Sequence, residues 1–235
     1  MEAEAAPTPH IVTVAELEAS SRQRFIWRTY LHLFAAVVGF ALIETVLFQT
    51  GVAAPLAALA MKGWWAFLGA FIIGGWAASH FAHTAESLSG QYISLGVYVL
   101  LEALIFAPLL YVAAGIGDGI ILRAALITLI AFVGLTAVAV FSGKDFSFLG
   151  SMLKWGMVLA FGLIGGGMIF GFNLGIYFSV FMVGLAGASI LYDTSQVLHS
   201  YPEDRYVGAA LSLFASLALL FWYVLRILIS LASDD

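Results

Sequence analysis

The chain has 235 residues, 63% hydrophobic and 10% charged, with a formal net charge of −5 and no cysteine; its mean hydropathy is +1.03. A soluble domain has about a quarter of its residues charged, so a water-soluble fold is excluded, and with no cysteine so are disulfides, thiolate catalysis and thiolate metal ligands. Several of the acids lie in the two tails, and nothing in the balance points to nucleic acid.

Residues 1–26 read as a polar, disordered tail: the start is acidic and rich in Pro and Ala, and only Val14 to Arg24 has the makings of a short surface helix. The first 24 residues are too polar for a signal peptide, so the first helix is expected to stay in the mature protein. Apolar runs follow at about 30–50, 61–82, 92–114, 119–141, 147–171, 174–198 and 207–231. Each is continuous over about 20 residues, the length of a membrane-crossing helix. A transmembrane barrel would need shorter alternating strands. The expected fold is an all-α membrane protein, a seven-helix bundle over residues 27–235. Pro108 sits inside the third run and should kink it. Gly165, Gly166 and Gly167 should let the fifth helix pack closely, and Trp27, Trp64, Trp65 and Trp155 fall near run ends, as an interfacial belt does. With the N-terminus in the cytoplasm, Arg22, Arg24, Arg28, Lys144, Lys154 and Arg205 fall inside, and Lys62, Arg123 and Arg226 outside. That bias favours a cytoplasmic N-terminus and a periplasmic C-terminus; the last run is the one most open to being re-entrant.

Glu44, Glu102 and Asp193 lie inside apolar runs, where an acid is costly and is by default paired, near water or functional. Lys154 and Asp193 fall at a similar depth, ~8–10 Å from the cytoplasmic boundary at 1.5 Å per residue. Either the two pair, or Lys154 snorkels to the surface alone. Folding the sixth and seventh runs about Glu203–Arg205 brings Asp193 level with Ser216. Ser212, Ser216, Tyr223 and Ser230 share one helical face, which should meet other helices or a polar cavity. An aspartyl-protease reading fails, because two catalytic carboxylates must lie within a few ångströms. Asp118 and Asp193 are expected near opposite faces, on the order of 30 Å apart. No HExxH zinc-protease helix is present, so neither a catalytic residue, a metal site nor a cofactor is expected.

Three stretches carry a resemblance to a known family: Lys144–Gly150 (KDFSFLG), Ile190–Ser195 (ILYDTS), and Ala210–Phe214 (ALSLF) followed by Leu225–Leu228 (LRIL). From about residue 25 onward the chain resembles the Bax inhibitor-1 family, and within it the bacterial YccA-type branch. The resemblance implies that the last helix is central, ringed by the other six. In members proposed to be pH-sensitive calcium-leak channels, an Asp on the sixth helix shares a proton with an Asp on the seventh. Asp193 matches the first, and Ser216 stands where the second would be. The Arg those members place near the end of the second helix is absent around His83 and Ala85.

The departure counts toward the YccA branch, which resembles a regulator, and also a substrate, of the membrane-anchored AAA+ protease FtsH. The first expectation is therefore a non-enzymatic protein of the bacterial inner membrane, embedded in lipid and engaged with an FtsH-type protease. The alternative is a calcium or proton leak pathway using Asp193, Ser216, Lys154 and Glu102.

Overall fold

The computed structural model describes residues 13–63, 69, 73, 80, 87–171 and 174–233. Seven helices follow in chain order: α1 (Ala19–Gln49), α2 (described over 53–63), α3 (Leu88–Ile116), α4 (Ile120–Ser142), α5 (Leu149–Phe170), α6 (Gly175–His199) and α7 (Tyr206–Ser233). Among the described residues, six helices are long and apolar enough to cross a membrane: α1, α3, α4, α5, α6 and α7. Most of the run expected at 61–82 lies outside the described residues, as do Trp64, Trp65, His83 and Ala85. There is no strand among the described residues, only an isolated bridge between Thr13 and Pro202.

The helix ends follow local chemistry. The Ser87 side chain caps α3 by accepting from the Gly90 N–H at 3.2 Å. α4 lies between Gly119 (φ 86°) and Gly143 (φ 62°), left-handed conformations that cost glycine little. α3 runs through Pro108 as one helix, so the expected kink does not break it.

α7 packs against α1, α3, α4 and α6. Its buried residues include the unbroken run from Val207 to Leu211 and, beyond it, Leu213, Phe214, Ser216 and Leu217, which lie on more than one face of the helix. The packing is aromatic at mid-length: Phe106 of α3 meets Phe40 at 5.2 Å, Phe221 at 5.5 Å and Trp222 at 5.0 Å between ring centroids. α5 is the loosest member, with only Leu149 and Ala160 fully buried. It approaches α6 through Gly150 and Gly156. A Cβ at Gly150 would sit 2.9 Å from the Tyr192 ring, and one at Gly156 would overlap Leu185. At Gly165, in the triplet expected to pack closely, no described atom lies within 4 Å of a built Cβ.

Within the tail expected over 1–26, the part from Val14 to Arg24, read as able to form a short surface helix, is helical at Val14–Glu16 and again from Ala19. The first helix begins at Ala19, well before the apolar run. Ahead of it, a short strap over residues 13–18 lies on the α6–α7 connection. The Val14 N–H donates to the Tyr201 carbonyl at 2.9 Å. The Val14 side chain is fully buried, and Arg22 donates to the Leu198 carbonyl at 3.2 Å. Leu17 packs against the same core as a partly buried side chain, so the strap is held by apolar burial as well as by backbone bonds. Residues 1–12 lie outside the described part.

Candidate functional site

Asp193 lies six residues before the end of α6, ~9 Å along the helix axis. Opposite it on α7 is Ser216, one helical turn beyond Ser212. The Ser216 hydroxyl donates to Asp193 Oδ2 at 2.5 Å. The hairpin reading of the sequence thus brings the right pair together. The other hydroxyls of the α7 series divide. Ser212 meets the Tyr201 hydroxyl at 3.0 Å, Tyr223 packs edge-on against Phe178 of α6 at 5.9 Å, and Ser230 near the far end is half-buried.

Lys154 does not join them. It is exposed on α5, and no ion pair among the described residues links it to Asp193. The reason is rotational: Leu149, Leu153, Gly156 and Ala160, at spacings of four, three and four, turn toward the bundle. Lys154 is one position off that face, and an exposed lysine at a helix end can snorkel.

Glu102 of α3 is buried. With Tyr98, Ser189, Ser216, Tyr223 and Arg226 it lines a cavity of about 680 Å³ between α3, α5, α6 and α7. Ser216 therefore has one side on Asp193 and lies on the wall of a chamber that also holds a second acid. No cluster of three or more His, Asp or Glu that could hold a metal ion occurs among the described residues.

A second network closes the same end of the bundle, and its working parts were not visible as such in the sequence. Asp145, in the α4–α5 loop, accepts from the Ser147 N–H at 2.8 Å and from its hydroxyl at 2.9 Å. The Ser195 hydroxyl, two residues past Asp193, donates to Asp145 at 3.1 Å and accepts from the Phe146 N–H at 2.9 Å. These donors, led by the Ser147 backbone, hold the Asp145 carboxyl below its ordinary range. The Asp-x-Ser spacing was the available signal, since an aspartate readily bonds the backbone two residues on. On the other side Gln91, buried at the start of α3, donates to the Asp204 carbonyl at 3.1 Å and accepts from the Gly208 N–H at 3.3 Å. It thereby satisfies a backbone donor in the first turn of α7, where helix N–H groups lack partners. A single glutamine in an apolar run gives no hint of that. Burial pushes the nearby Tyr201 hydroxyl up, away from ionisation.

The family model described as "Inhibitor of apoptosis-promoting Bax1" matches residues 22–233. The chain is 34% identical over 134 residues to "Modulator of FtsH protease YccA" of Escherichia coli strain K12, covering 56% of this chain and 60% of the relative. It is 35% identical over 147 residues to "Protein LIFEGUARD 4" of Arabidopsis thaliana, covering 58% and 56%, and 31% identical over 153 residues to "Bax inhibitor 1" of Schizosaccharomyces pombe, covering 62% and 54%. The chain thus spans less than two thirds of the length of these relatives. The match across nearly all the described helices makes this chain a multi-helix membrane protein of the Bax inhibitor-1 family, of its YccA type.

Proposed function

We propose that the protein is a non-enzymatic modulator, and itself a substrate, of an FtsH-type AAA+ protease in the bacterial inner membrane. In this reading seven helices cross the bilayer with α7 at the centre, the N-terminus is cytoplasmic and the C-terminus periplasmic. The observation that carries it is the likeness to the E. coli protein named a modulator of FtsH, 34% identical over 134 residues. Two features support it. The basic residues gather at the end of the bundle where α1 begins, in keeping with a cytoplasmic N-terminus. Asp193 meets a hydroxyl rather than a second carboxylate, so the proton-sharing pair of the leak-channel members is missing. The test is reconstitution of an FtsH-type protease and a membrane substrate in proteoliposomes, with and without this protein. A severalfold change in substrate half-life at equimolar protein is expected, and an unchanged half-life with the two proteins failing to co-purify rejects the reading.

A second reading is a leak pathway for calcium or protons through Asp193, Ser216 and Glu102. It is favoured by one observation, the chamber of about 680 Å³ that Glu102 and Ser216 share. Lys154 has no part in it, being turned away. Calcium and proton flux in liposomes holding the pure protein, followed across pH, separates the two readings: flux abolished by Glu102→Gln supports the pathway, and tight liposomes at every pH reject it.

A further inference from the structure

A second cavity lies away from Asp193, between α1, α4 and α7 with α3 behind it. It measures about 510 Å³, within the ~300–1,000 Å³ typical of small-molecule sites. Its walls are almost wholly apolar, with Phe40, Phe106, Phe214 and Phe221 prominent. Exposed Ala41, Thr45 and Leu129 rim the gap between α1 and α4, so the cavity opens sideways, toward the zone that lipid would occupy around these helices.

One ionisable residue stands in this lining. Glu44 of α1 is 7% exposed, lines this cavity, and has no hydrogen-bond partner on either carboxyl oxygen among the described residues. Thr128 of α4, on the same wall, is buried, and its hydroxyl likewise has no partner among them. A buried polar group without a partner costs on the order of 1–3 kcal/mol, and more if charged. Packing gives no reason for it, since an apolar side chain would fill the same place at less cost. An acyl chain drawn in from the bilayer would fill the volume and leave both groups unsatisfied. A protonated amine on an apolar body would do otherwise. Its N–H groups would satisfy both oxygens of Glu44 and the Thr128 hydroxyl, its charge would balance the carboxylate, and the phenylalanine faces would favour a cation beside them.

We propose that the cavity between α1, α4 and α7 is a binding site for lipophilic amines, with Glu44 as the ammonium partner and the phenylalanine walls holding the apolar body. The inference stands apart from the protease reading, which rests on no cavity, and from the leak reading, which uses the other chamber. The test uses the full chain in detergent micelles and native mass spectrometry, with dodecylamine and dodecanol as paired probes of equal chain length. One dodecylamine per protein is expected at saturation, bound at least tenfold more tightly than dodecanol. Glu44→Gln should remove that preference and leave dodecanol binding as it was, which also reports that the variant is folded. Ala41→Trp, at the exposed rim, should block both probes. Equal binding of the two probes, a preference for the amine that survives Glu44→Gln, or dodecylamine binding undiminished in Ala41→Trp would each overturn the proposal.

Discussion

The α6–α7 contact at Asp193 and Ser216 can be dissected with a double-mutant cycle. Hydrogen bonds between neutral groups in membrane helices average about 0.6 kcal/mol in such cycles, because alternative partners exist in the unfolded state. A hydroxyl donating to a carboxylate belongs to a stronger class, about 1.5–3 kcal/mol. The bond here joins the Ser216 hydroxyl to a carboxyl oxygen of Asp193, a pairing of that class, and Ser216 is buried. Ser216→Ala deletes the donor without creating a large void and leaves the acceptor in place. The expected loss is ~1.5–3 kcal/mol. Asp193→Asn keeps an acceptor of nearly the same shape, so its cost should be smaller, about 1 kcal/mol. Once Asn stands at 193, Ser216→Ala should cost only the neutral value of about 0.6 kcal/mol. The assay is reversible unfolding in mixed micelles for wild type, both single variants and the double variant, with the coupling energy read from the four stabilities. A coupling near 1 kcal/mol or above is expected from the difference between the charged and neutral values. A coupling under about 0.3 kcal/mol, within the usual error of additivity, would refute a charge-assisted bond at this position.

Other perturbations test the neighbouring parts. Gly156→Leu places a branched side chain where even a Cβ overlaps Leu185, and should destabilise by ~1–3 kcal/mol through overpacking, read from the same unfolding assay. Asp145 has its pKa lowered in the fold, so its contribution is present above the ordinary aspartate value of about 4 and is lost as pH falls through the lower folded value. The stability gap between wild type and Asp145→Asn should therefore be flat at neutral pH and close below about pH 4; a gap that does not change on acidification counts against the loop network. Val14→Asp should release the strap from the α6–α7 connection and speed amide exchange at Val14 and Arg22 with the bundle intact, whereas unaltered exchange would mean that the strap is not held by that side chain. On the reading that the polar N-terminal stretch is where such a protease takes hold, removing residues 2–12 should lengthen the half-life in cells containing an FtsH-type protease and change nothing in cells lacking it; an unchanged half-life in the first strain takes the tail out of the mechanism.

The membrane helices were legible because their signal is the bulk one, runs of about 20 apolar residues that hydrocarbon demands. The described helices fall where those runs predict, α3 to α7 to within a few residues. The pairing of Asp193 with Ser216 was also legible, since a short turn fixes which levels of two antiparallel helices face each other. Rotation about the helix axis was not. Lys154 and Asp193 share a depth, but a membrane helix that is apolar all round offers no polar stripe to tell which side turns inward; only the packing of Gly150 and Gly156 on α6 decides it. The strap was missed for the converse reason. Val14 is one of several apolar residues scattered through a short mixed stretch, with Ile11, Val12 and Leu17 beside it, and its place is fixed by the Tyr201 backbone nearly two hundred positions away. Gln91 and Ser195 belong to the same class: one polar side chain satisfying backbone brought to it by tertiary structure.

The serine at 216 bears on what this end of the bundle can do. Two facing carboxylates titrate apart, because both cannot ionise at close range, and the contact between their helices then depends on a shared proton. A serine hydroxyl can donate to a carboxylate and can equally accept from a carboxylic acid. The Asp193–Ser216 contact therefore has a hydrogen bond available in either protonation state, and α6 and α7 need not part when the pH changes. A Ser216→Asp variant should acquire a pH-dependent step in helix spacing that the natural chain lacks, measurable by spin-label distances between α6 and α7. A step of equal size in the natural chain would show that Asp193 needs no second acid to act as a latch.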